Sequence, residues 1–92
     1  MRLRVSKQAE KFLFNSTDAT REKIRMKIKR LVLSAGEQGI IPFKELQIKS
    51  LEGEWKGFMR MKIGGIRVIF RIDRTAGEIF VYEIDYRGGA YK

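Results

Sequence analysis

Two apolar runs meet at Gly64-Gly65, and that pair constrains the chain more than any other feature. Gly-Gly between alternating apolar runs is the short-range signature of a hairpin closed by a two-residue turn at positive φ. Closing it there pairs Ile63 with Ile66, Lys62 with Arg67, Met61 with Val68 and Arg60 with Ile69. Successive side chains of a strand point to opposite faces. Arg60, Lys62, Arg67 and Arg71 therefore share one face, and Met61, Ile63, Val68 and Phe70 share the other.

The segment Glu78–Asp85 supplies a third strand, in one of two registers. A four-residue loop over Arg74-Thr75-Ala76-Gly77 pairs Ile72 with Ile79, which sends Phe80, Tyr82 and Ile84 to the cationic face. A three-residue loop with Gly77 in the left-handed position pairs Ile72 with Phe80, Phe70 with Tyr82 and Val68 with Ile84. A slip of one residue turns every side chain over, so the apolar pattern selects the register. It selects the three-residue loop, because the core face is then continuous. Asp85 is then opposite Arg67, and Arg87 extends the cationic face just past the strand.

Charge narrows the partners. The 92 residues hold 20 Lys and Arg against 11 Asp and Glu, a formal +9, which points to nucleic acid or an acidic protein. No apolar run approaches the ~20 residues of a membrane span, and the first residues, Met1-Arg2-Leu3-Arg4-Val5, lack the apolar region of a signal peptide. The absence of His excludes imidazole acid–base chemistry and most transition-metal sites, so no metal ligands are assigned. The absence of Cys excludes disulfides and thiol chemistry.

Taken from the start, Arg2-Leu3-Arg4-Val5 alternates as a short strand, and Ser6 stands as an N-cap for a helix reaching about Asn15. The capping cluster Ser16-Thr17-Asp18 opens a longer helix over residues 18–35, with Ile24, Ile28, Leu31 and Ala35 as its apolar stripe and Gly36 as its stop. Its other face carries Arg21, Lys23, Arg25, Lys27, Lys29 and Arg30, either a solvated surface or a docking surface for RNA phosphates or an acidic partner. Residues 44–55 read as an ordered loop that holds at most a short strand or turn, with Trp55 covering an edge of the core rather than serving as a stacking platform. No repeat or linker divides the chain, so residues 1–92 form one domain. The fold class is α+β: two N-terminal helices packed on one face of a mainly antiparallel four-stranded sheet, in the order β-α-α-β-β-β. A solvated sheet face ordinarily mixes signs and small polar groups, whereas this one places Lys62 across from Arg67.

The run Arg60-Met61-Lys62-Ile63-Gly64-Gly65-Ile66-Arg67-Val68-Ile69-Phe70 resembles the Y-R-x-R-x-G-x-Y-R-V-I-Y stretch of the RelE/ParE toxin superfamily. Leu51-Glu52-Gly53 resembles that family's L-x-G lead-in, and Arg87-Gly88-Gly89-Ala90-Tyr91 its C-terminal R-x-x-x-Y. The RelE branch implies a cytoplasmic toxin of a type II toxin–antitoxin system, a ribosome-dependent endoribonuclease that cuts mRNA in the A site without a cofactor. The implied partners are the ribosome, mRNA and a cognate antitoxin whose acidic segment covers the cationic face, in a complex that reaches operator DNA through the antitoxin. The ParE branch implies gyrase inhibition instead. Retention of Arg60, Lys62, Arg67, Arg87 and Tyr91 favours the nuclease branch; a non-catalytic basic RNA- or ribosome-binding module is the third alternative. The chain departs from the family at Tyr86, where many relatives have His, and in the Gly88-Gly89 pair.

RNA cleavage by 2′-OH attack requires removal of the 2′ proton, stabilisation of a dianionic phosphorane and protonation of the 5′ oxygen. Tyr91, with its pKa lowered by neighbouring cations, is the candidate base or the group that positions the 2′-OH, with Lys62 and Arg60 competing for the role of base. Arg67 and Arg87 match the scissile phosphate with planar forks; Lys62 is either the charge stabiliser or the acid, and Arg60 and Arg87 stabilise charge, since arginine is a poor acid. Arg71, Arg21, Arg25, Lys29 and Tyr86 complete the expected RNA- and ribosome-binding set.

Overall fold

The computed structural model describes residues 1–86. Arg87 and Tyr91 lie outside the described residues. In chain order the elements are β1 (Arg2–Val5), α1 (Lys7–Phe14), α2 (Asp18–Val32), β2 (Ile48–Ser50), β3 (Met59–Ile63), β4 (Ile66–Asp73) and β5 (Glu78–Tyr86). The strands form one sheet in the order β1-β5-β4-β3-β2, antiparallel except for the parallel β1–β5 pair. The α+β class holds, but the sheet has five strands instead of four. The added strand is β2, which pairs Ile48 with Met61, Lys49 with Arg60 and Ser50 with Met59. At three residues it is too short to show alternation, so only its pairing partner reveals it.

The helices start where their caps require. Ser6 Oγ accepts from the Ala9 N–H at 3.1 Å, and Thr17 Oγ1 from the Thr20 N–H at 3.2 Å, satisfying donors that the first turn leaves without intrahelical partners. The second helix stops being regular at Val32, and residues Leu33–Glu37 widen into a π turn that carries the chain past Gly36. Ile24, Ile28 and Leu31 from α2, with Ala9 from α1, bury against Met61, Ile63, Val68, Phe70, Ile79, Val81 and Ile84 of the sheet. This is the core, and it occupies one side of the sheet.

The β3–β4 hairpin has the register that Gly64-Gly65 dictates, with Ile63 opposite Ile66, Lys62 opposite Arg67, Met61 opposite Val68 and Arg60 opposite Ile69. Only Gly64 adopts the left-handed conformation, at φ +58°. The β4–β5 register differs from expectation at one end. Next to the turn Asp73 faces Glu78, Ile72 faces Ile79 and Phe70 faces Val81, the pairing of a four-residue loop; farther along Ile69 faces Glu83, Val68 faces Ile84 and Arg67 faces Asp85. Tyr82 is the additional residue, a β-bulge that shifts the strand by one. Tyr82 is therefore 42% exposed instead of packed beneath the helices, while Ile79, Val81 and Ile84 are all fully buried. The turn closes on its own chemistry: Asp73 Oδ1 accepts from the Ala76 N–H at 2.9 Å, and Gly77 takes φ +65°.

The bulged stretch of β5 lies beyond the end of β1, which pairs only as far as Val81. Helix α1 serves the backbone groups there. Ser6 Oγ donates to the Tyr82 carbonyl at 2.6 Å, and the Gln8 side chain donates to the Ile84 carbonyl at 2.7 Å while accepting from its N–H at 2.9 Å. A side-chain amide thus does what a neighbouring strand would do.

Candidate functional site

The sheet face opposite the helices gathers the cations. Arg60 and Lys62 come from β3 and Arg67 from β4, all three half-buried, with Lys62 and Arg67 directly opposite each other. Arg71, four residues beyond Arg67, is exposed on the same face. Strand β2 adds Lys49, the exposed cross-strand neighbour of Arg60, which sequence reasoning missed because it gave the short strand no partner in the sheet. The arginines do not simply project into solvent. The Nε atoms of Arg60 and Arg67 are buried, so their stems lie along the sheet. Ile69 is fully buried although it alternates onto this face, flanked across the strands by Arg60 and Glu83. A pair of long basic side chains laid over an aliphatic floor holds its charges in place with little rotamer freedom left to lose.

Two carboxylates from β5 share the face. Asp85 is opposite Arg67, and its Oδ1 accepts from the Tyr86 N–H at 2.7 Å. Glu83 is half-buried, and its pKa is raised above the ordinary value, first by burial and then by the nearby Asp85 charge. Placed on the cationic face, this carboxyl is a proton acceptor that the sequence reading did not single out; the signal was its position two residues from Asp85 on one side of a strand.

Beyond Glu83 the face turns aromatic. The Trp55 ring meets Phe58 at 5.5 Å and Tyr82 at 5.6 Å; Phe58 and Tyr82 are 5.5 Å apart, and Phe80 is 5.9 Å from Tyr82. These are edge-to-face distances. The Arg4 guanidinium lies 3.9 Å over Phe80, and that of Arg71 is 5.7 Å from Phe58 and 5.8 Å from Phe80. Trp55, expected to cover a core edge, instead joins a cluster on the cationic side.

The other expected binding residues do not meet these. Arg21, Arg25 and Lys29 lie on the helical side of the sheet, along an apolar groove of about 480 Å³ floored by Leu3, Val5, Ile24 and Val81. Arg21 donates to the carbonyls of Leu13 (2.9 Å), Ser16 (2.8 Å) and Phe14 (3.3 Å) and to Asp18 Oδ1 (2.7 Å), so it ties the end of α1 to the start of α2. Arg25 is paired with Glu22 at 2.6 Å, a contact that holds the Glu22 carboxyl below its usual range. Tyr86 packs its ring on Phe12 of α1, with centroids 5.3 Å apart, also on the helical side. Among the described residues no group of acidic side chains is arranged to hold a metal ion, and no helix is long and apolar enough to cross a membrane.

Family models and curated sequences give no match to the chain. Solved structures do. The RelE–RelB complex of the archaeon Pyrococcus horikoshii OT3 contains a chain that superimposes with a TM-score of 0.72 at 24% identity, covering 97% of each chain. The isolated RelE toxin of E. coli matches with a TM-score of 0.69 at 16% identity, over 98% of this chain and 87% of that one. A YoeB/ParE toxin from Agrobacterium tumefaciens matches with a TM-score of 0.70 at 17% identity, over 95% and 99%. The chain has the RelE fold.

Proposed function

We propose that the chain is the toxin of a type II toxin–antitoxin system, and that it cleaves mRNA in the ribosomal A site by attack of a 2′-OH on the adjacent phosphate. The observation that carries this is the placement of Arg60, Lys62 and Arg67 on one face of a sheet with the RelE fold. Arg67 grips the scissile phosphate through its planar fork. Arg60 and Lys62 stabilise the charge that develops on the phosphorane, with Lys62 placed to return a proton to the 5′ oxygen. Cations held down against the sheet need little reorganisation as that charge appears. Arg87 and Tyr91 take the roles of second phosphate clamp and base, and Glu83 competes with Tyr91 for the 2′ proton. The face has no imidazole pair, which suits a catalyst whose substrate is oriented by the ribosome; orientation of this kind supplies several kcal/mol. An antitoxin with an acidic segment neutralises the toxin by covering the same cations, and carries the complex to operator DNA. The setting is the cytoplasm, where ribosomes and mRNA meet.

The test is primer extension on an mRNA in a purified translation system, with and without ribosomes, comparing the native protein with Arg67→Ala. Cuts that require ribosomes and disappear in the variant are expected. Absence of cuts with translation unaffected refutes the reading, and inhibition of DNA supercoiling by the same preparation would put the gyrase-directed alternative in its place. Tyr91→Phe and Glu83→Gln then separate the two candidate bases, because the one that accepts the 2′ proton loses cutting when its acidic group is removed.

A further inference from the structure

We propose that the aromatic cluster of Tyr82, Trp55, Phe58 and Phe80 is a stacking site for an unpaired base of single-stranded RNA, lying outside the nucleotides that flank the cut. It rests on the reading of the cationic face as an RNA site for its register along the strand, and its own test needs no cleavage.

Three observations carry it. The first is the bulge. Next to the turn β5 keeps the pairing of a four-residue loop, which turns Tyr82 with Phe80 to the cationic face, and the bulge returns Ile84 to the core without drawing the Tyr82 ring in with it; the ring is left 42% exposed, in edge contact with Trp55, Phe58 and Phe80. Exposing an aromatic ring forgoes burial energy, and a bulge is a feature that re-aims a side chain. The second is charge. Arg71 is exposed between the Phe58 and Phe80 rings and makes no ion pair among the described residues, while Arg4 lies over Phe80 with its Nε held by Glu78 at 3.0 Å. Rings interleaved with guanidinium groups are what a single strand meets in sequence-tolerant binding sites, where bases stack and phosphates find cations. The third is continuity. Arg71 is four residues along β4 from Arg67 on the same face, roughly 13 Å at the rise of a strand. That separation places a stacked base beyond the reacting phosphate and on the same track, so one strand can occupy both sites. An acidic peptide would satisfy the arginines but would make no use of a cluster of ring edges beside an exposed tyrosine.

Trp55 is the sole tryptophan of the chain, so its fluorescence reports directly on the cluster. The experiment titrates the full-length protein with a short 2′-O-methyl oligoribonucleotide, which cannot be cut, and with the same backbone lacking bases. The base-bearing strand is expected to quench Trp55 and to bind roughly tenfold or more tightly than the abasic strand. Tyr82→Ala is expected to bring the two affinities together by weakening only the base-bearing strand. Tyr82→Phe, which keeps a stacking face, retains the difference and guards against a folding defect in the alanine variant. Arg67→Ala weakens both strands alike. Equal affinity for the two strands overturns the proposal, as does an unchanged difference in Tyr82→Ala or quenching by polyglutamate without quenching by the oligonucleotide. A base-dependent signal from a protein that cuts nothing on ribosomes would uphold this site and refute the nuclease; cutting with no base-dependent signal would do the reverse.

Discussion

Arg21 reads in the sequence as one member of a basic helix face and in the fold as a clamp, and the two roles separate in one substitution. Its guanidinium reaches three backbone carbonyls at the α1–α2 junction, those of Leu13 at 2.9 Å, Ser16 at 2.8 Å and Phe14 at 3.3 Å. Two of these are well-formed bonds and the third is long. A hydrogen bond contributes about 1 kcal/mol net, rather more from a charged donor, but the side chain is 40% exposed and water competes for all three. The ion pair with Asp18, a fully exposed carboxylate, adds nothing to the sum. The balance is about 2 kcal/mol lost in Arg21→Ala. A domain of this size moves by about 4–8 °C per kcal/mol, so the midpoint of thermal unfolding falls by roughly 10 °C. Arg21→Lys keeps the charge but has no fork, and recovers only part of that. The assay pairs a thermal melt followed by far-UV circular dichroism with RNA binding measured across a salt series. A clamp predicts a lowered midpoint and an unchanged salt slope. A midpoint within about 2 °C of native, together with a salt slope reduced by about one, would refute the reasoning and restore Arg21 as a phosphate contact.

Three further outcomes are expected. Gly64→Ala should lose about 1–2 kcal/mol, because an L side chain in the left-handed region is strained, whereas Gly65→Ala should be close to neutral; neither added methyl meets any atom within 4 Å, so paired melts isolate the effect of φ. Ser6→Ala should lose about 1 kcal/mol for the missing N-cap, and more if the Tyr82 carbonyl of the bulge is left unsatisfied, which hydrogen exchange at Ile84 would register as faster opening of β5. Burial holds Glu83 protonated past the ordinary carboxylate value of 4.5, so the folded state binds more protons than the unfolded chain just above that pH. Stability therefore falls as pH rises through that window and stays lower beyond it. Glu83→Gln should flatten the fall and raise the unfolding midpoint at neutral pH, and an unaltered stability–pH profile would count against it.

What the sequence determined by itself was local. The Gly64-Gly65 hairpin and its register, the caps at Ser6 and Thr17, the placement of Arg60, Lys62, Arg67 and Arg71 on one face, and a site chemistry without imidazole all depend on residues a few positions apart. Turn φ, capping hydrogen bonds and side-chain alternation act over that range, and they need no knowledge of where the rest of the chain lies. The third strand of the meander resisted because Ile79-Phe80-Val81-Tyr82 is apolar at every position and so carries no phase. Its turn favours one register and the alignment of Ile84 with Val68 favours the other. No pattern of period two satisfies both, and the sheet resolves the conflict by inserting Tyr82 as an extra residue. That insertion requires partners from the far end of the sequence, Ser6 and Gln8, to accept and donate in place of a strand. The same distance hid the pairing of β2 with β3, and the work of Arg21, visible only once α1 ends beside α2. Tertiary structure alone decided these, because each is a hydrogen-bonding demand created by one segment and met by another.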